Sequence, residues 1–430
     1  MTTLPLKLYR NLTARSEKRL QKLLQKRLSN GKEDPERLWE RMGIAKLPRP
    51  EGRLTWVHAA SVGEAQSALI LIEHILKARP DMHILLTTGT RTSAESIGQK
   101  LPPRAFHQYI PLDHPDWVKR FMDHWRPDLA LWMESELWPN LVLEIKKRGI
   151  MAALVNARLS DKSFARWKWL PKTAEELLET FSAVLTQTGQ DYTRYLTLGA
   201  RWALVTDNIK YSARPLPTDD GALKLIAAKM GGRKNWVYAS THAGEEEMAC
   251  RLHAILKNNY PDLLTVIVPR HPNRGEDVEA MCRAQNLRAQ RRSLDPAGGP
   301  EPETDIYIAD TMGELGLFYR LTPIACVGRS FSTDGGGGHN PLEPAQLGCA
   351  VLHGPNVQFQ KEIYEEMGKA DAALPLADER HFLHVLQDLF EKPEYLAHMQ
   401  KKAGNFAATK TGVIGRVMEA LKPMLEKIPA

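Results

Sequence analysis

A chain of 430 residues is too long for one ordinary hydrophobic core, so two domains are expected. Its 43% hydrophobic and 25% charged residues match a soluble globular composition, and neither a membrane-spanning run nor an apolar leader core is expected. The net charge of +7 belongs to residues 1–50, which hold 13 Lys+Arg against 5 Asp+Glu, so the rest of the chain is close to neutral.

That basic segment is patterned. Leu12, Leu20, Leu23, Leu24 and Leu28 recur at helical spacing among Arg15, Lys18, Arg19, Lys22, Lys26 and Arg27. A basic amphipathic helix of this kind either docks on an anionic membrane surface or packs as a solvated helix on its own domain. Nucleic acid is not an expected partner, because no aromatics interleave with the charges. Cys250, Cys282, Cys326 and Cys349 lack CxxC spacing, which argues against zinc and against a disulfide framework and fits a reducing compartment.

From Leu54 onward, strand-like apolar runs alternate with amphipathic helices. Strands are predicted at Leu54–His58, Ile84–Thr88, Leu129–Met133, Met151–Val155, Ala183–Thr186 and Ala203–Val205. Pro215–Asp220 reads as a linker. A second series follows at Trp236–Ala239, Leu264–Val268, Ile306–Ala309, Ile324–Val327 and Val351–Leu352, and the C-terminal third is expected to end in helices with no strands between them. Alternation of this kind implies α/β architecture with parallel sheets covered on both faces. Four segments are expected: a basic N-terminal segment over 1–50, Rossmann-like domains over 51–212 and 213–405, and a C-terminal helix over 406–430. Two doubly wound halves would set a ligand in the cleft between the carboxyl ends of their sheets, the GT-B glycosyltransferase arrangement. Two-domain binding proteins and some dehydrogenases share that architecture.

Several strand ends carry candidate chemistry. In His58–Glu64, Glu64 is either a general base or the partner of Ser61 in a capping box. In Glu134–Asn140, two carboxylates stand two residues apart, and Glu134, nearer the strand, is the one expected to reach the cleft; a metal is not expected. Lys210 could neutralise charge on a leaving group, or be ordinary surface. Arg270-His271 suits a phosphate or carboxylate, or is a surface turn. Ser240-Thr241-His242 could hydrogen-bond a ligand. Met312, Gly313 and Glu314 follow the strand Ile306–Ala309, and Gly313 either admits a ligand or opens a helix. The glycine run Gly335–Gly338 precedes His339, Asn340, Pro341, Leu342 and Glu343. Here a helix N-terminus could meet a phosphate and Glu343 a ribose, or Asn340 and Glu343 could form only a capping box. No DxD, GxGxxG or GxxxxGK[ST] pattern occurs at the places where each would bind a nucleotide.

Together, His58–Glu64, Glu134–Asn140, Asn156–Asp161, Asn208–Lys210, Arg270–His271, Asp310–Leu315 and Gly337–Ala345 resemble, in order, the motifs of the bacterial 3-deoxy-D-manno-octulosonic acid (Kdo) transferases of lipid A assembly. The resemblance implies a GT-B enzyme that moves Kdo from CMP-Kdo onto a lipid A precursor, with inversion and with neither metal nor cofactor. It implies Glu64 as general base, with Glu134 and Lys210 stabilising the transition state. It implies CMP binding by Arg270, His271, Met312, Gly313, Glu314, Asn340, Pro341, Leu342 and Glu343. A peripheral position on the cytoplasmic side of the inner membrane is expected with it. Rival readings are a nucleotide-sugar epimerase of the same fold and a non-catalytic membrane-docking protein. The chain departs from the family pattern in its polar, basic N-terminus, where an apolar anchor is usual. It has Asp207 and Arg329 where Gly is usual, and Asn356 where His is usual.

Overall fold

The computed structural model describes residues 2–98, 100–212, 215–332 and 334–429. The chain divides into two compact units, one of Met1–Ala213 with Thr411–Ala430 and the other of Arg214–Lys410.

The first unit is built on β1 (Leu54–Ala59), β2 (His83–Thr88), β3 (Ala105–Tyr109), β4 (Leu129–Met133), β5 (Met151–Ala157), β6 (Ala183–Thr186) and β7 (Ala203–Val205). They form one parallel sheet in the order β3-β2-β1-β4-β5-β6-β7. Every residue of β1 and β4 is buried, as expected for strands with helices on both faces. Trp56 and Trp132 alternate with small and aliphatic side chains here, and Trp56 packs on Phe121 at 5.1 Å between ring centroids.

The second unit repeats the plan with β8 (Asn235–Thr241), β9 (Leu264–Pro269), β10 (Ala289–Arg291), β11 (Ile306–Ile308), β12 (Ile324–Val327), β13 (Ala350–His353) and β14 (Leu374–Pro375). The order is β10-β11-β9-β8-β12-β13-β14, again all parallel. Apolar clusters cover both faces of this sheet. Cys250 and Cys282 lie in one of them as free, buried thiols, 3.4 Å between sulfurs.

Three expectations need correction. The C-terminal third does hold a further strand, since β14 pairs with β13. The C-terminal segment is not one helix over 406–430: Pro393–Thr411 ends at Gly412, and Val413–Lys427 follows as a separate helix in the first unit. The N-terminal segment is also not one amphipathic helix. It forms Leu4–Ala14 and Glu17–Ser29, interrupted at Arg15-Ser16, so Leu12 is separated from Leu20, Leu23, Leu24 and Leu28 in the second helix. Leu24 is buried, Leu6 joins the core of the first unit, and the exposed leucines of these two helices are Leu4, Leu8, Leu12 and Leu23. The segment is tied down by polar groups as well. Tyr9 donates to Asp113 at 3.0 Å, and buried Glu33 pairs with Arg27 at 2.6 Å and Arg41 at 3.5 Å. Among the described residues no helix is long and apolar enough to cross a membrane.

Candidate active site

In both sheets the chain leaves the first strand in one direction and later returns to its other side. The switch falls between β1 and β4 in the first unit and between β8 and β12 in the second. Loops at the carboxyl ends of such strand pairs are where open parallel sheets bind ligands. In each unit a strand beside the switch also slips register at a left-handed residue. β5 slips register at Asn156 (φ +56°) and β8 at Ser240 (φ +58°), bulges that re-aim the chain beyond.

In the first unit, β1 ends at Ala59 and Ser61 caps the helix Val62–Ala78. The Ser61 half of the capping box is formed, and the Glu64 carboxylate reaches back one residue further than such a box requires. Ser61 Oγ accepts the Glu64 N–H at 3.3 Å and donates to Glu64 Oε1 at 2.9 Å, while Glu64 Oε2 accepts the Ala60 N–H at 2.8 Å. These bonds use two of the roughly four acceptor positions of a carboxylate, so capping and base chemistry do not exclude each other. Glu64 is only 8% exposed. Burial, and next the negative charge of Glu134, push its pKa from 4.5 up to about 7 despite those two hydrogen bonds.

Glu134 follows β4 in a left-handed turn (φ +56°) held by its N–H to Val155 O at 3.0 Å. It is half-buried, whereas Glu136 is exposed. Lys210 approaches from the turn after β7. A Cβ at Gly63 would stand 3.1 Å from its Nζ, so the glycine gives the ammonium room beside the first turn of the Glu64 helix. Glu134 thus bears on Glu64, and Lys210 lies against the residue before it. A set of amides aims the lysine turn: Asn156 and Asn208 lie in segments the sequence marked, Gln187 in none. Asn156 Oδ1 accepts the Ile209 N–H at 2.9 Å, Gln187 donates to Asn156 O at 2.9 Å, and Asn208 donates to Gln187 at 3.1 Å.

In the second unit, Arg270 and His271 leave β9 exposed, with the Arg270 N–H on Thr241 O at 3.0 Å. The Arg270 charge bears on His339 and on Glu343. The glycine run has a different cause from the one expected at two positions. A Cβ on Gly336 would fall 1.8 Å from Arg329 Nε, and one on Gly337 2.3 Å from the Gln358 nitrogen, so the chain's own packing requires them. The following helix is short, Leu342–Gln346, and begins after Pro341. Asn340 Oδ1 accepts the Leu342 N–H at 3.1 Å and its Nδ2 donates to Glu343 Oε1 at 3.3 Å, so the local pairing is formed. Pro341 and Leu342 are buried. Burial raises the Glu343 carboxyl; Asn340 and Arg270 oppose it. Met312 is 75% exposed, and Gly313 (φ +83°) has open space where a side chain would be. Glu314 is instead engaged by Arg292, at 3.1 and 2.9 Å, and by Thr311.

A profile of the 3-Deoxy-D-manno-octulosonic-acid transferase (kdotransferase) family matches residues 36–213. The chain is 35% identical to the 3-deoxy-D-manno-octulosonic acid transferase of Rickettsia bellii over 85% of this chain and 86% of that one. It is 33% identical to the enzyme of that name from Haemophilus influenzae over 91% and 92%. A solved glycosyltransferase from Rickettsia africae superposes with a TM-score of 0.56 at 10% identity, over 88% of this chain and 100% of that one, which is a likeness of fold. With two doubly wound units, GT-B neighbours and relatives of this similarity over nearly their whole length, the chain belongs to the 3-deoxy-D-manno-octulosonic acid transferase family of glycosyltransferases.

Proposed function

We propose that this chain transfers Kdo from CMP-Kdo to a sugar hydroxyl of a lipid A precursor, with inversion and without a metal, in lipopolysaccharide synthesis. The observation that carries the reading is Glu64, a buried carboxylate whose pKa is raised to about 7 with Glu134 and Lys210 beside it. A base of that pKa is half ionised near neutral pH and can still accept a proton from an attacking hydroxyl, help worth about 10²–10⁴-fold in rate. An inverting displacement then occurs in one step: the acceptor oxygen bonds to the anomeric carbon as the bond to the CMP phosphate breaks. Glu64 takes the hydroxyl proton, and CMP departs with the bonding electrons. Lys210 and Glu134 are assigned to the transition state, the lysine countering the added negative charge.

Arg270, His271, Met312, Gly313, Glu314, Asn340, Pro341, Leu342 and Glu343 are assigned to CMP. Within this set, Arg270 meets the phosphate. The free backbone at Gly313 and the Asn340–Glu343 pair suit base and ribose. Glu314 and Leu342 act by holding their loops, since each is already engaged by its own unit. An anionic membrane surface on the cytoplasmic side of the inner membrane is proposed as the place of work. The helix Leu4–Ala14 supports this with Leu4, Leu8 and Leu12 exposed along one line.

Incubation with CMP-Kdo and a tetra-acylated lipid A precursor tests the reading by product analysis. Kdo joined to the lipid, with CMP released in equal amount and unchanged yield in EDTA, is the expected result. Free Kdo with no lipid product, or an absolute need for a divalent ion, would contradict it.

A further inference from the structure

Beside Arg270, three side chains of the second unit form a line. His242 Nδ1 stands 3.2 Å from Asp334 Oδ2, and His242 Nε2 stands 3.3 Å from His339 Nε2. The two imidazoles meet edge to edge, with ring centroids 5.5 Å apart. The line is built rather than incidental. Asp334 Oδ1 accepts the Gly336 N–H at 2.9 Å, and buried Glu245 accepts both the His242 N–H (2.9 Å) and the Arg329 N–H (2.8 Å), joining the loops after β8 and β12. Tyr364 donates to His339 O at 2.8 Å.

Proton counting along this line has a consequence. Asp334 is an acceptor only, so His242 carries its proton on Nδ1 and presents a lone pair at Nε2. A hydrogen bond between the two Nε2 atoms then places the single proton of a neutral His339 on its Nε2. Both protons of the neutral pair are spent inside the line, and His339 Nδ1 is left an acceptor. A neutral pair in this arrangement offers no donor to an anion. One further proton on Nδ1 turns His339 into a donor and gives the pair a positive charge that Asp334 balances.

We propose that Asp334, His242 and His339 form a proton-uptake relay for the donor phosphate, so that binding of the cytidylate group at Arg270 is coupled to protonation of the histidine pair. His339 touches the anion and His242 is a positioning residue that acts through it. The inference rests on the reading of this unit as the CMP site. In the free protein the pair is held neutral near pH 7, by burial first and then by surrounding cations. Arg329 and His271 act on His242 against Asp334 and Glu245, and His242, Arg270 and Arg329 act on His339 against Asp334. An anion arriving among those cations reverses the balance, and by reciprocity affinity falls as protons become scarce.

Calorimetric titration of the full chain with CMP at pH 7.5, in Tris and in HEPES, reads proton uptake directly from the difference in heat. The relay predicts uptake of about half a proton or more per CMP, and CMP affinity falling about tenfold between pH 6.5 and 8.5. In His242→Gln the uptake is lost and the pH dependence flattens, while CMP still binds. In the unaltered protein, NMR titration shows both imidazole pKa values rising when CMP is added, a readout independent of any variant. Binding of CMP without proton uptake, or uptake retained in His242→Gln, overturns the relay and leaves the functional reading standing. Failure of the unaltered chain to bind CMP overturns both.

Discussion

Glu64 concentrates two demands on one side chain: it caps a helix and is held protonated over a range where a surface glutamate would be ionised. The folded pKa of about 7 lies above the ordinary 4.5, so the folded protein binds this proton more tightly than the unfolded chain. The associated stability is present below pH 4.5 and lost as pH rises through about 7. Glu64→Gln is therefore expected to raise stability at pH 8 by about 2 kcal/mol, with the gain vanishing near pH 4.5, as followed by thermal unfolding at the two pH values. The same titration predicts that the rate of transfer at saturating CMP-Kdo climbs through a limb near pH 7 to an alkaline plateau. The two departures from a family glycine have a common backbone explanation. Asp207 (φ +68°) and Arg329 (φ +60°) both occupy the left-handed region, where glycine is favoured. Asp207 is also held by Arg416 at 2.8 Å. Asp207→Gly is expected to change stability by under about 0.5 kcal/mol, whereas Asp207→Val costs about 2 kcal/mol, measured by urea unfolding.

At the scale of elements, the sequence marked the central strands and missed three of the four edge strands for a physical reason; the edge strand it marked, Ala203–Val205, is wholly apolar. The three strands absent from the sequence reading, Ala105–Tyr109, Ala289–Arg291 and Leu374–Pro375, are all sheet edges. Edge strands are short or carry polar residues such as His107, Gln108, Gln290 and Arg291, so they lack the continuous apolar run that betrays a central parallel strand. The N-terminal leucine pattern misled for another reason. Helical spacing continues across Arg15-Ser16 in the sequence, but the helix does not, and half the pattern is spent on packing. Asp113 shows how that segment is joined to the loop after β4. It accepts the Asn140 and Leu141 N–H groups at 3.0 and 2.9 Å, capping the helix after the Glu134 turn, and also the Tyr9 hydroxyl. Asp113→Ala strands those donors and is expected to cost about 2 kcal/mol in chemical unfolding. If the first helix meets the membrane, Leu8→Asp with Leu12→Asp will cut binding to vesicles containing anionic lipid by about tenfold or more and leave CMP affinity unchanged. Vesicle binding equal to that of the parent chain would remove the helix from the account.

Over the whole molecule, the repeated β-helix alternation was legible because parallel strands buried on both faces leave a strong sequence trace. Strand ends could then be read as candidate sites, and Glu64, Glu134 and Lys210 do converge in the first unit. How the supports act was not legible: Asn156 and Asn208 lie in marked segments, but their bonds to one another through Gln187 join positions too far apart in sequence for any local pattern to reveal. The glycine run also showed its limits, since a requirement for glycine at Gly336 and Gly337 arises from internal packing as readily as from a ligand. The central claim is that Glu64 removes the acceptor proton. Its most direct test is single-turnover Kdo transfer at pH 8 by Glu64→Gln, beside CMP affinity measured on the same preparation. The account predicts a loss of about 10²-fold or more in rate with CMP affinity within about twofold of the parent. Transfer at the parental rate would contradict it.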